Sequence, residues 1–380
     1  MPISKIQANS LAANAVPVTG ARNHIINGNM EINQRSQGTA NLSGAGVWFA
    51  DRFFSQVHGT SIVVSGSRST DVPSGTKFKN SVKFSVTTAA TGTDHYTRIT
   101  HRVEGYGVKT LGMASSGNKL VLSFYVKSTT AGTHTVGMCN GYRAGTAYAQ
   151  AGITHTYTIN AANTWQRVEI PFDSYSTGGS ADWKDDNNLG VEITFVAGQG
   201  ATAHGAGSII SSHNTWEDFA SSAFVNPKST TDNNSWGTST SDEFYITGVQ
   251  LESGTSATDF ENPVSYGDEL QKCRRYFSRF NCDSTAAGVF SFAVWSATTK
   301  YGRFDFPTEM RTNPSLTVSN NSDFTVLIAG STGSISGWTL NSGDTNYAEL
   351  NVATSSLGSA GQAGWIRGTT GGYIDLDAEL

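Results

Sequence analysis

The stretch over residues 244–251 limits this chain more than any other. Tyr245, Thr247, Val249 and Leu251 alternate with Phe244 and Ile246, so apolar groups fall on both faces at the two-residue period of a pleated strand. A strand buried on both sides belongs inside a sandwich. The same alternation recurs at Val82, Phe84 and Val86, at Leu120, Leu122, Phe124 and Val126, and at Val191, Ile193 and Phe195. Stretches of Gly, Ser, Thr and Asn separate these runs, with no long helical period and no fixed repeat between them. The expected fold is all-β, with an antiparallel jelly-roll β-sandwich as its main part.

Downstream the pattern changes. Gly254, Thr255 and Ser256 end the alternation, and Ser265 followed by Asp268 has the form of a capping box just after Pro263. Leu270, Cys273 and Phe277 then share one helical side, while Lys272, Arg274, Arg275 and Arg279 place cations where a helix dipole favours them. The spacing predicts a short amphipathic helix over 266–277 whose apolar side, Leu270, Cys273 and Phe277, holds copies of the chain together. Short strands at 289–294, 303–306, 315–318 and 373–380 predict a second, smaller β-sandwich. Residues 1–22 are small and polar and cannot bury enough surface to fold alone. The expected organisation is therefore an attachment arm at 1–22, a jelly roll at 23–262, a linker with a short helix at 263–282, and a distal β domain at 283–380.

Composition bounds the function. Only 14% of the 380 residues are charged, against about 25% in an average globular protein, and this suits an all-β structural protein. The net charge of -5 and the absence of a dense Lys/Arg run argue against nucleic acid as a partner. Cys139, Cys273 and Cys282 lack metal-ligand spacing, so reduced thiols and synthesis in a cytoplasm are expected; a bridge between Cys273 and Cys282 stays open. The N-terminus lacks the apolar core of a signal peptide, and no apolar run is long enough for a bilayer, so a soluble chain without membrane insertion is expected.

Three loop tryptophans, Trp183, Trp216 and Trp236, stand beside Asp, Asn or Glu, the mixture of flat apolar face and hydrogen-bonding group that a saccharide needs. They are the candidate carbohydrate-binding residues, although packing or subunit contact weighs more heavily for each. Trp165 reads as core or edge packing. Asp182, Asp185 and Asp186 offer hard oxygen ligands for calcium without an EF-hand order, and a solvated acidic surface competes with that reading. Asp51 and Arg52 read as a structural charge pair. No HExxH, Cys/His cluster or GxSxG elbow is present, so neither zinc nor nucleophilic catalysis is expected.

Several motifs together resemble a family of tail-fibre and related virion proteins of tailed bacteriophages. The matching pieces are HIINGNMEINQR at 24–35, ADRFF at 50–54, FYVKS at 124–128, NTWQRVEIPF at 163–172, YITGVQLESGTSATDFE at 245–261, SYGDELQKCRRYF at 265–277, FPTEMRTNPSLTVSN at 306–320 and DAEL at 377–380. The resemblance implies a carbohydrate-binding-module-like jelly roll joined by the helix to a distal β domain. It further implies a homotrimeric tail fibre, located in the virion tail, attached to other virion proteins by its N-terminal arm and contacting a host glycan or protein receptor. Jelly-roll sugar-binding modules often hold a structural calcium near an NGxxE-like segment, which Asn27, Gly28 and Glu31 resemble; no other cofactor is implied. A head or tail decoration protein is the alternative. A polysaccharide depolymerase is the enzymatic rival, but such enzymes usually use a long β-solenoid, and the expectation is a protein that is not an enzyme.

Overall fold

A computed structural model describes residues 22–42, 46–59, 61–113, 117–140, 150–175, 183–200, 213–219, 235–262, 265–282 and 287–380. The attachment arm expected at 1–22 lies outside these, save Arg22, as does Asp182. The chain divides into two compact units, Met1–Pro263 and Val264–Leu380.

The first unit contains, in chain order and among the described residues, β1 (Ala40–Asn41), β2 (Val47–Ala50), β3 (Phe53–His58), β4 (Val63–Ser69), β5 (Ser81–Thr88), β6 (Tyr96–Glu104), helix α1 (Gly105–Leu111), β7 (Lys119–Ser128), β8 (Gly132–Asn140), β9 (Gln150–Ile159), β10 (Gln166–Asp173), β11 (Leu189–Gln199), β12 (Glu217–Phe219) and β13 (Glu243–Ser253). These form two antiparallel sheets, ordered β1-β4-β5-β13-β7-β10 and β12-β9-β8-β11-β6-β3-β2. Successive strands cross repeatedly from one sheet to the other, giving the jelly-roll sandwich. Its core interleaves Phe84, Phe124, Phe244 and Ile246 from the first sheet with Phe53, Ile99, Ile193 and Phe195 from the second. Phe124 sits edge-on to Phe195 at 5.0 Å, an arrangement that the ring quadrupole favours.

β13 lies in the middle of its sheet, between β5 and β7, as its two apolar faces require. It also ties the two ends of the unit together. Asn23 accepts from Leu251 N at 3.1 Å through Oδ1, donates to Val249 O at 3.2 Å through Nδ2, and gives its backbone N–H to Glu261 Oε2 at 2.6 Å. Gln250 Oε1 accepts from Glu261 N at 2.7 Å. The buried Glu252 carboxylate takes the Thr258 N–H and the Thr258 hydroxyl, each at 2.8 Å. The motif at 245–261 is thus a clasp that fixes where the chain enters and leaves the jelly roll.

Residues 24–32 form no strand. Ile25, Met30 and Ile32 are buried nonetheless, because Asn27 and Met30 take positive φ values of 59° and 58° and turn the segment against the core. Asp51 and Arg52, expected as a charge pair, are each 1% exposed, and their bonds run to other parts of the fold. Asp51 accepts from Gln34 N at 3.0 Å and Gln34 Nε2 at 2.7 Å, while Arg52 Nη2 donates to Arg102 O at 2.6 Å. Burial raises the Asp51 pKa despite the guanidinium of Arg35 nearby.

The second unit begins with helix α2 (Tyr266–Arg274), followed by β14 (Phe277–Asn281), β15 (Ala287–Ser296), β16 (Thr299–Asp305), β17 (Ser315–Val318), β18 (Phe324–Ile328), β19 (Ser331–Gly343), β20 (Tyr347–Thr354), β21 (Ala363–Gly368) and β22 (Tyr373–Asp377). Ser265 caps α2 as expected, accepting from Asp268 N at 3.0 Å. The helix stops at Arg274, however, because the chain turns through Tyr276 N to Cys273 O at 3.0 Å and Phe277 pairs with Asp377 in a strand. Strand pairing overrides helical periodicity here. The assembly role expected for this side is corrected accordingly: Cys273 and Phe277 are 0% and 2% exposed, inside the unit, and Leu270 is half-buried. The helix belongs to the second unit rather than to a separate linker.

That unit is not a sandwich. β15-β16-β20-β19-β18-β21 pair antiparallel all the way round and close as a barrel beside the three-stranded sheet β14-β22-β17. Closure leaves the barrel no unpaired edge. Phe290, Phe292, Val326, Leu350, Val352 and Ile366 fill its interior. Arg279 holds the smaller sheet together, bonding Asp375 through Nε at 2.7 Å and Nη2 at 2.6 Å with its guanidinium 3.8 Å from the Tyr373 ring centre. All three cysteines are free and buried. Among the described residues no helix is long and apolar enough to cross a membrane.

Candidate functional site: a polar sheet face in the first unit

The seven-stranded sheet has two very different faces. Ile99, Val136, Ile153 and Ile193 point into the core, so strand alternation sends Thr100, Gly137, Thr154 and Thr194 to the other side. Register lines these up: Trp48, Phe54, Thr100, Thr194, Gly137 and Thr154 stand opposite one another in one row across β2, β3, β6, β11, β8 and β9. At strand spacing the row is about 24 Å long. A parallel row runs through Gln56, Arg98, Val196, Thr135 and Thr156, and a third through Arg102, Glu192, Cys139 and Gly152.

The side chains in these rows are fixed by one another. Arg98 donates to Gln56 Oε1 through Nη2 at 2.7 Å and Nε at 3.1 Å. Arg102 Nε meets Glu192 Oε2 at 2.8 Å, and the Thr100 and Thr194 hydroxyls lie 3.2 Å apart. Trp48 and Phe54, both half-buried, tilt against each other at 5.1 Å, with the Arg35 guanidinium 4.8 Å from the Trp48 ring and that of Arg102 5.7 Å from Phe54. Tyr96 stacks on His58 at 5.2 Å. Arg98 and Glu192 are only 6% and 9% exposed although they face away from the apolar core. Burial pushes the Cys139 thiol far above its ordinary pKa, with Glu192 adding to the shift; this cysteine is an inert part of the floor. The result is a long polar track whose threonine hydroxyls, at Thr100, Thr194 and Thr154, are buried, and whose half-buried groups, Trp48, Phe54, Gln56 and Arg102, gather at the β2-β3-β6 end.

Two of the three expected tryptophans come together elsewhere. Trp216 stacks on Tyr175 at 5.2 Å and lies edge-on to Trp183 at 5.7 Å. Their indole N–H groups donate to backbone, Trp183 to Tyr175 O at 2.9 Å and Trp216 to Asp173 O at 2.8 Å. This half-buried cluster packs against the core, near the end of the track, where His213 Nδ1 lies 3.0 Å from Thr154 Oγ1. Burial and the nearby His213 lower the pKa of His155 to about 4, while its ring lies edge-on to Phe172 at 4.4 Å. Trp236 is corrected from a sugar platform to a core residue. It is 0% exposed, and a ring with no accessible face cannot stack on a ligand. Trp165 is an edge residue, its Nε1 donating to Asp71 Oδ1 at 2.9 Å.

The calcium candidates do not converge. The Asn27 side chain is spent on backbone: Nδ2 donates to Ile32 O and Asp51 O, and Oδ1 accepts from Ile32 N, each at 2.9 Å. Glu31 faces Lys79 at 3.7 Å, Asp185 pairs with Lys109, and Asp186 binds Asn188 through both carboxylate oxygens at 2.8 Å. Among the described residues no three His, Cys, Asp or Glu groups are placed to hold a metal ion. The track itself was not singled out from sequence. Its signal was the polar partner set of otherwise apolar strands, in YTRITHRVE at 96–104 and FFSQVH at 53–58, which only strand pairing assembles.

No protein-family model matches the chain, and no curated protein matches it. Similar solved structures include the enzymatically active domain of bacteriophage CBA120 tailspike protein 4, at 14% identity and a TM-score of 0.28, covering 61% of this chain and 21% of that one. The match therefore spans about a fifth of the tailspike domain. A family 11 carbohydrate-binding module from Clostridium thermocellum, in complex with a β-1,3-1,4-mixed-linked tetrasaccharide, aligns at 14% identity and a TM-score of 0.27, covering 58% of this chain and 99% of the module. A xylan-binding domain from Paenibacillus barcinonensis aligns at 12% identity and a TM-score of 0.24, covering 63% of this chain and 100% of that domain. At such scores these likenesses carry no functional argument, and the reading of the site rests on the sheet face itself.

Proposed function

We propose that this chain is a tail fibre of a bacteriophage whose jelly roll holds a host-surface glycan at the β2-β3-β6 end of the outer face of the seven-stranded sheet, without cleaving it. One observation carries the binding reading: half-buried aromatic rings and pre-oriented polar groups, Trp48, Phe54, Tyr96, Gln56 and Arg102, stand together on β2, β3 and β6 at one end of the track. A saccharide offers hydroxyls that both donate and accept, and apolar ring faces that lie flat on aromatic rings. Pre-oriented polar groups lower the entropic cost of gripping it. Arg102 holds the Glu192 carboxylate in place at 2.8 Å. The virion role is supported by the resemblance of the motifs at 24–35, 245–261 and 265–277 to those of phage fibre proteins.

The test is binding of the full chain to an array of bacterial surface polysaccharides, repeated with Trp48→Ala and Gln56→Ala. A bound glycan is expected, with each substitution weakening it by about tenfold, and without release of reducing ends. Undiminished binding in both variants would remove the sheet face from the reading, and reducing-end release would make the protein a depolymerase. Immunogold labelling of intact particles is expected to mark the tail; labelling of the capsid would make it a decoration protein.

A further inference from the structure

The barrel of the second unit carries a surface of another kind. Trp295 and Trp365 are 71% and 56% exposed. Both lie outside the barrel, because Phe292 and Val294 of β15 and Ile366 of β21 fill its interior. Along the paired strands Gly288 faces Arg367, Ser291 faces Trp365, and Ala293 faces Ala363. The outer face of this strand pair therefore presents in order a guanidinium, an indole, a floor of two methyl groups, and a second indole, Trp295, which lies edge-on to Tyr301 at 6.0 Å. Four residues of strand separate the two indoles, roughly 14 Å.

Arg367 gives this strip its sign. Its guanidinium has no ion-pair or hydrogen-bond partner among the described residues. The residues facing it on either side, Gly288 and Thr325, are uncharged. A cation left unmatched beside an exposed ring calls for an anionic group on whatever lies there. A second protein surface fits poorly. A stable interface buries about 800 Å² on each partner, whereas a strip of about 20 Å along one strand pair offers roughly a quarter of that. A narrow, extended ligand suits the strip, with flat faces at intervals and negative charge.

We infer that this strip binds an acidic oligosaccharide, a sugar chain bearing carboxylates, at a site independent of the jelly-roll face. Pyranose rings lie on Trp365 and Trp295, the alanine floor lets the chain between them lie close, and Arg367 takes a carboxylate in a two-pronged bond.

The experiment measures binding of the full chain to polygalacturonate, with uncharged dextran as control. Polygalacturonate is expected to bind, more weakly at higher salt, and dextran is not. Trp365→Ala and Arg367→Gln should each weaken binding by about tenfold, with Arg367→Lys between them and wild type. Both side chains lie outside the barrel core, so unchanged melting temperatures serve as the folding control. Trp48→Ala in the first unit should leave this binding intact. The inference is overturned if polygalacturonate does not bind, if it binds both variants as well as wild type, or if dextran binds equally. It is also overturned if Trp48→Ala abolishes the binding, or if Trp365→Ala changes only the oligomeric state.

Discussion

Asn27 provides the sharpest test of how the jelly roll is held together. Its fully buried side chain makes three hydrogen bonds of 2.9 Å, two to Ile32 and one to Asp51, while its backbone sits at φ 59°. Replacing it with alanine removes three bonds worth about 1 kcal/mol each and puts into a left-handed backbone a residue that, unlike asparagine, has no short polar side chain to ease it, at about 1 kcal/mol. The sum is about 4 kcal/mol. Asn27→Gly loses the same bonds but relaxes the backbone, so it should cost about 3 kcal/mol. In a unit of this size, about 4 kcal/mol lowers the melting temperature by roughly 10 °C. The assay is thermal unfolding of the full chain followed by tryptophan fluorescence, in calcium and in chelator. Chelator should leave every melting temperature unchanged. The reasoning fails if Asn27→Ala stays within about 1 kcal/mol of wild type, well below the cost of its bonds, or if Asn27→Gly is the more damaged variant. It also fails if chelator destabilises wild type but not Asn27→Ala, since that would make Asn27 a metal ligand.

Other consequences can be checked with the same unfolding measurements. Trp236→Ala should cost about 3–5 kcal/mol by opening a cavity in the core, whereas Trp365→Ala, on the exposed barrel face, should change stability by less than about 1 kcal/mol. Stability should fall on acidification: His155 is lowered to about 4 and the buried His101 well below its ordinary value, so the unfolded chain protonates first. The loss should begin near pH 6.5, the ordinary histidine value, and for His155 level off near pH 4; His155→Phe should flatten the curve. Arg279→Lys should lower the unfolding midpoint of the second unit, because an ammonium cannot reproduce the two-pronged bond to Asp375 and the stacking on Tyr373. A reductant should shift no midpoint, since all three cysteines are free.

What could be read from the sequence was whatever depends on a residue's own neighbours along the chain. The alternation at 244–251 became β13, the strand at 315–318 was placed to the residue, and Ser265 caps α2 as its spacing with Asp268 implied. Errors arose where distant pairing decides. Phe277 continues a helical stripe in sequence, yet its partner is Asp377, a hundred residues away. Barrel closure depends on β21 joining both β15 and β18, which no local pattern announces. Trp236 sits among polar residues that suggest a loop, but its ring packs where Gly198 leaves room: a β-carbon on Gly198 would lie 2.7 Å from the indole. The polar track was the least legible part, because its row combines one residue from each of six strands, and only their register makes it a row.

The clasp around Asn23 has a consequence for how such a molecule can be altered. With residues 22–23 and 258–261 fastened to the same strand, the jelly roll is a closed loop hung on a single point of the chain. Arg22 and Asn23 thus lie beside Asp259 and Glu261. A sandwich with different surface residues, or a short turn, could be spliced in at that point without stretching or shifting the flanking segments. The jelly roll is in this sense an exchangeable cartridge, whose surface can be rewritten while the rest of the chain keeps its sequence.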